Sequence, residues 1–300
     1  MLTPLVSHSE FDHLHAQVSH RSNRTRIARC YGPGTHRSSF LGQGLETVDS
    51  RPYQAGDDIR HMDWRATARS GKPTSKVFMD ERQHNLFLII DRRAGMYFGT
   101  RNMLKVTAAI KTAAILAFSA IVNHDMVGGI VVDQQRHTTY PATRDLNATL
   151  ALLSAAAAAA TIQTNAVTPA NKTLDHAFSA VLSAAPSNTT LCLISDCDFI
   201  ADSTNSQNLV TLINKYPVQV FQINDPAEYK LDNVGKIRIA SPNGSDIITI
   251  DTSNKQIRDS YAAQALEHQK TIRTQLLKWG CTHHSIQTNR NILQQLEALI

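Results

Sequence analysis

Two acids stand where an open sheet does its chemistry. The apolar run Leu86–Ile90 leads into Asp91, and the run Thr190–Ser195 leads into Asp196. Ligands of parallel sheets bind beyond the carboxyl ends of the strands. Two carboxylates meeting at one sheet edge repel, unless a cation lies between them or one keeps its proton. A divalent metal with hard oxygen ligands would serve. So would a plainer arrangement, in which each acid caps the helix or loop that follows it. Spacing alone leaves both open.

A second group of charges lies upstream. The segment Arg51-Pro52-Tyr53-Gln54-Ala55-Gly56-Asp57-Asp58-Ile59-Arg60-His61-Met62-Asp63-Trp64 continues to Ala68-Arg69. It predicts one helix over 58–69, capped by Asp57 or Asp58, with Arg69 suiting the helix dipole in the last turn. Gly71 supplies a left-handed stop and Pro73 prevents continuation. On that helix Asp63 falls on the apolar face of Ile59, Met62 and Ala66, about 40° from Ile59. A carboxylate on an apolar stripe is costly unless paired, and Arg51, Arg60 and Arg69 are candidate partners. The motif reads either as an Arg–Asp network fastening this helix to the main domain or as a charged docking surface.

Arg21, Arg24, Arg26, Arg29 and Arg37 fall in a stretch without acids between His13 and Leu45. Such a stretch can hold phosphate or carboxylate, or it is a solvated segment. Only Tyr31 and Phe40 lie near it, so stacking on bases is poorly supported. The overall charge of +5 is mild for 300 residues. Other signatures are absent. Ser70-Gly71-Lys72-Pro73 has proline where a phosphate-binding loop needs a hydroxyl, and Gly42-Gln43-Gly44 lacks the third glycine of a dinucleotide fingerprint. His283 and His284 are adjacent, so on a strand they point to opposite faces. Cys30, Cys192, Cys197 and Cys281 include no Cys-x-x-Cys pair, which fits a reducing compartment. No leader-like N-terminus and no apolar run of about 20 residues is found. These features suit a soluble, cytoplasmic protein without membrane insertion.

The elements that must position Asp91 and Asp196 alternate in type. Strands are expected at 86–90, 127–132, 190–195, 218–223 and 284–287, with an edge hairpin strand at 136–140. Helices are expected at 105–122, 146–161, 174–184, 205–215, 256–279 and 291–300. Strands alternating with helices imply an α/β fold, a mostly parallel sheet with helices on both faces. A hairpin over 236–250 turns at Pro242-Asn243-Gly244. Ahead of this body, residues 1–82 read as a charged segment of short strands and a helix; the main domain is read as 83–300.

Gly42-Gln43-Gly44-Leu45-Glu46, Arg51-Pro52-Tyr53, Gly56-Asp57-Asp58-Ile59-Arg60, Met62-Asp63-Trp64, Ala68-Arg69, Lys76-Val77-Phe78 and Glu81-Arg82 resemble, in order and spacing, the bacterial family called domain of unknown function 58. The resemblance covers the chain from about residue 30 and implies a von Willebrand A-like, Rossmann-like domain. It also implies a MoxR-type AAA+ ATPase and a protein client as partners, in protein maturation or stress response. Domains of that kind often carry a metal-ion-dependent adhesion site, Asp-x-Ser-x-Ser, completed by a threonine and a second aspartate. On that pattern Asp91, Thr173 and Asp196 match, but Arg93 and Gly95 replace the two serines. The replacement argues against Mg²⁺ and for a non-catalytic binding protein with a degenerate site. Either the Arg93 guanidinium takes over the charge of the metal, or Arg93 points into solvent. The alternatives are a divalent-metal hydrolase using Asp91 and Asp196, and a nucleic-acid binder using 21–37.

Overall fold

A computed structural model describes residues 4–20, 46–54, 58–79, 84–159, 170–201, 207–240 and 247–299. The chain divides into two compact units, 1–33 with 84–300, and 34–83.

The larger unit is organised by a six-stranded sheet. Its strands are β3 (Asn85–Asp91), β4 (Met126–Val132), β5 (His137–Thr143), β6 (Thr189–Ser195), β7 (Val218–Asn224) and β10 (Thr282–Gln287). They lie in the order β10-β7-β6-β3-β4-β5. All neighbours run parallel except β5, which pairs antiparallel with β4. The expected α/β architecture is therefore present, a mostly parallel sheet with one antiparallel edge strand.

The central strand β3 is apolar throughout because it is covered on both faces. Leu86, Leu88 and Ile90 enter one core and Phe87 and Ile89 the other, as the alternation of strand side chains requires. The first core packs against α3 (Lys105–Val122), α4 (Leu146–Ala157) and α9 (Ile292–Ala298). The second packs against α5 (Ala170–Ala184), α6 (Asp198–Ala201), α7 (Gln207–Lys215) and α8 (Lys255–Lys278). Helix α3 is long and apolar enough to cross a membrane, but most of it is buried inside this unit.

Helix α1 (His8–His20) belongs with this body. Phe11, Leu14 and Val18 join the first core, and Glu10 pairs with Lys111 of α3 at 2.6 Å. A single cut at 82/83 would place α1 on the other side of the boundary. A separate antiparallel ribbon pairs β8 (Lys236–Ala240) with β9 (Ile247–Asp251), as expected of hairpin strands, while the expected turn at Pro242-Asn243-Gly244 lies outside the described residues. The four-residue helix α6 falls between the strand expected at 190–195 and the helix expected at 205–215, a stretch given no element from the sequence.

In the smaller unit β1 (Glu46–Pro52) pairs antiparallel with β2 (Thr74–Met79). The single helix predicted over 58–69 is two pieces, a 3-10 turn at Ile59–His61 and α2 (Trp64–Ser70). Met62 is extended (φ −67°, ψ 130°) and breaks the run. Asp58 and Asp63 each accept a backbone N–H, from Arg60 and Ala66, both at 2.9 Å. Each carboxylate thus starts its own helical turn. Gly71 ends α2 with φ 67°, as expected of a left-handed stop.

Candidate functional site

Strand β3 divides the sheet's connections. The crossover from β3 to β4 runs through α3 on one face, and that from β6 to β7 through α7 on the other. Between β3 and β6 the sheet therefore has a topological switch point, where doubly wound folds open a crevice. Ile90 and Ile194 are partners in that pair, so Asp91 and the Ser195-Asp196 step leave the sheet side by side.

Asp91 is fully buried and its carboxylate is saturated. Oδ1 accepts from the Arg93 backbone N–H and from Arg93 Nε, both at 3.0 Å. Oδ2 accepts from Arg93 Nη2 at 2.8 Å and from Ser195 Oγ at 2.6 Å. Burial pushes the Asp91 carboxyl up, but the Arg93 charge, its hydrogen bonds and the Ser195 hydroxyl hold it below its ordinary value. Burial likewise opposes the charge on Arg93, but Asp91 foremost, with Asp196 and Asp198, more than offsets it, so this guanidinium is protonated more firmly than usual. Its plane also sits 5.6 Å from the Phe199 ring centre. Arg93 does not point into solvent.

Asp196 is served by a different cation. Lys105, the first residue of α3, is buried and donates from Nζ to Asp196 Oδ2 at 3.2 Å and to Glu228 Oε1 at 2.6 Å. Burial lowers the lysine pKa, and Asp196 and Glu228 raise it further than burial lowers it. Glu228 is fixed by a capping box with Asp225, whose backbone N–H it accepts at 2.7 Å. Asp198 stands nearby with His268 at 3.2 Å. Burial and the Asp196 charge push the Asp198 carboxyl up to about 6, against the pull of Lys105.

The remaining matched position goes elsewhere. Thr173 Oγ1 donates to the Gln134 carbonyl at 3.1 Å, and the Gln134 side chain accepts from the Ala94 N–H at 3.1 Å. These residues do not suit a divalent ion. Each sheet-end carboxylate already carries a side-chain cation, and a dication added there would face both Arg93 and Lys105 at close range. At the second serine position, a Cβ on Gly95 would come within 3.0 Å of Asp196 Oδ2. Among the described residues no three His, Cys, Asp or Glu side chains converge on one point.

The second motif lies in the smaller unit. Asp58 and Asp63 act as caps, and Arg69 Nε reaches the Arg65 carbonyl at 3.4 Å. Tyr53 enters through its backbone, N–H to the Pro73 carbonyl at 2.9 Å. Arg51 Nη1 reaches the Pro52 carbonyl at 3.5 Å, and Arg60 and Trp64 are exposed. Asp63 is thus first a helix cap, because the helix whose apolar face it was expected to occupy is interrupted just before it. Gly56 and Asp57 lie outside the described residues, as do Arg21, Arg24, Arg26, Arg29 and Arg37. His283 and His284 bond separately to Gln222 and Gln219, at 2.9 and 3.0 Å.

Comparison with known proteins gives the following likenesses. The family model described as "Protein of unknown function DUF58" matches residues 49–271. The Mycobacterium tuberculosis "Uncharacterized protein Rv1480" is 25% identical over 263 residues, 88% of this chain and 81% of that one. The Bacillus subtilis "Uncharacterized protein YeaD" is 35% identical over 79 residues, 26% of this chain and 19% of that one. Among solved structures, BatB from Bacteroides thetaiotaomicron aligns with a TM-score of 0.38 at 13% identity, covering 72% of this chain and 94% of that one. The SpRpn10 VWA domain aligns with a TM-score of 0.38 at 14% identity, covering 73% and 95%.

Proposed function

The chain belongs to the DUF58 family, and from that premise we propose that it is a non-catalytic binding protein, an adaptor or scaffold. It acts with a MoxR-type AAA+ ATPase on a protein client, in maturation or stress response, within the cytoplasm where ATP is at hand. The ATPase partnership rests on what the family resemblance implies. The non-catalytic reading rests on one observation: both acids at the switch point hold a built-in cation, and Asp91 has four donors on its two oxygens. A general base needs a lone pair within reach of a substrate proton, and Asp91 has none to offer. The site is then a metal-ion-dependent adhesion site in which Arg93 and Lys105 stand where the ion would be.

The test is capture of the MoxR-type ATPase of the same organism by this protein, with and without ATP, always in Mg²⁺, because the ATPase needs the metal to hold its nucleotide. ATP-dependent capture is the expected result. No capture in any nucleotide state would overturn the partnership. Saturable binding of Mg²⁺ by this protein alone, followed by isothermal titration calorimetry, would overturn the built-in cation.

A further inference from the structure

Helix α2 exposes more chemistry than it uses. None of its residues is buried. It rests on β2, where the Thr67 hydroxyl accepts the Thr74 N–H at 3.1 Å. The opposite arc, spanning about 140° on a helical wheel, carries Trp64, Ala68, Arg65 and Arg69, all exposed. Trp64 is 65% exposed and Ile59, in the turn just before, 62%. From 58 to 72 the cations are Arg60, Arg65, Arg69 and Lys72, all exposed. The acids are Asp58 and Asp63, each turned to a backbone N–H.

A tryptophan left in water beside arginines is the composition of an interface hot spot. We propose that this face of α2 docks an acidic protein segment bearing an apolar side chain. The arginines take its carboxylates by paired N–H···O bonds, and Trp64 takes the apolar group. A protein segment is favoured over a single-stranded nucleic acid because α2 exposes one aromatic ring, whereas binders of single strands stack successive bases on several. The inference deepens the binding reading above by giving the chemistry of one surface, and it does not depend on the ATPase being the partner.

The test uses the full chain and three fluorescein-labelled probes. They are a twelve-residue peptide alternating Glu with Leu, the same peptide with Lys for Glu, and a single-stranded twelve-nucleotide DNA. The expected result is binding of the acidic peptide alone, weakened by salt. Trp64→Ala, and separately Arg65→Glu with Arg69→Glu, should weaken it about tenfold or more, with far-UV circular dichroism unchanged. Lys72→Ser controls for loss of one cation outside the helix and should have a smaller effect. Tighter binding of the DNA, no binding of the acidic peptide, or equal binding by the helix variants would overturn the proposal. Failure here with successful ATPase capture would remove this surface and leave the adaptor reading standing.

Discussion

Asp91 and Arg93 are joined by three hydrogen bonds, from the Arg93 backbone N–H, Nε and Nη2, at 3.0, 3.0 and 2.8 Å. The loop that leaves β3 folds straight back onto the acid that ends it. A carboxylate at the switch point is thereby closed by its own chain.

Removing the guanidinium should be expensive. Arg93→Met leaves Asp91 buried with Ser195 as its remaining side-chain donor. The expected loss is about 3–5 kcal/mol, as for one partner of a buried pair, measured by urea unfolding at neutral pH. The pH dependence should also change sign. In the native protein the folded carboxyl is lowered, so its contribution is full above the unfolded value of about 4 and is lost as pH falls through the folded value. In Arg93→Met only the Ser195 hydroxyl and a backbone N–H still oppose burial, so the variant should lose stability as pH rises above about 4.

Millimolar Mg²⁺ should leave the melting temperature unchanged, because a ligand stabilises only the state it binds. Arg93→Ser with Lys105→Met removes both cations and restores one hydroxyl. That double variant should be destabilised, and Mg²⁺ should recover part of the loss. A Mg²⁺-dependent rise in melting temperature for the unmodified protein would contradict the arrangement of Arg93 and Lys105.

Asp198 gives a second pH signature. Its folded carboxyl, raised to about 6, binds a proton more tightly than in the unfolded chain. Its contribution is therefore favourable at low pH and is lost as pH rises from about 4 to about 6. The side chain is 57% exposed, so solvent screens the effect and only the direction is claimed. Asp198→Asn should flatten stability across that window, as followed by denaturant unfolding at stepped pH.

Asp63→Ala removes the cap of α2. The expected cost is about 1 kcal/mol, with Asp63→Ser keeping most of the stability. Amide hydrogen exchange offers a local measurement, since the Ala66 N–H loses its acceptor and should exchange faster in Asp63→Ala.

Much of this was legible in the chain. The strands ending at Asp91 and Asp196 could be read because a strand covered on both faces is apolar without interruption and its first acid marks the edge. Lys105 and Glu228 could not be read as parts of the site, since they lie 91 and 32 residues from Asp196 and no spacing connects them. One signal did exist. A lysine opening a mostly apolar helix sits at the wrong end of the dipole, and carboxylates such as Asp196 and Glu228 relieve that misfit. The interrupted helix at 58–70 was missed for a different reason. Its apolar spacing fits one continuous helix, while the break at Met62 is fixed by a β-bridge to Ser75 and by the Asp63 N–H bonding the Thr74 carbonyl at 2.8 Å, pairings that side-chain periodicity does not encode.

The division of the chain into 1–33 with 84–300, and 34–83, makes the smaller unit an insertion in the order of the sequence. The larger body begins before it and resumes after it. One peptide bond cut between α1 and β3 would thus divide the chain without dismantling that body, because α1 is held to α3 by Phe11, Val18 and the Glu10–Lys111 pair. The nicked molecule becomes a two-fragment complex, and α1 supplied as a free peptide is a candidate for reconstituting the body by complementation.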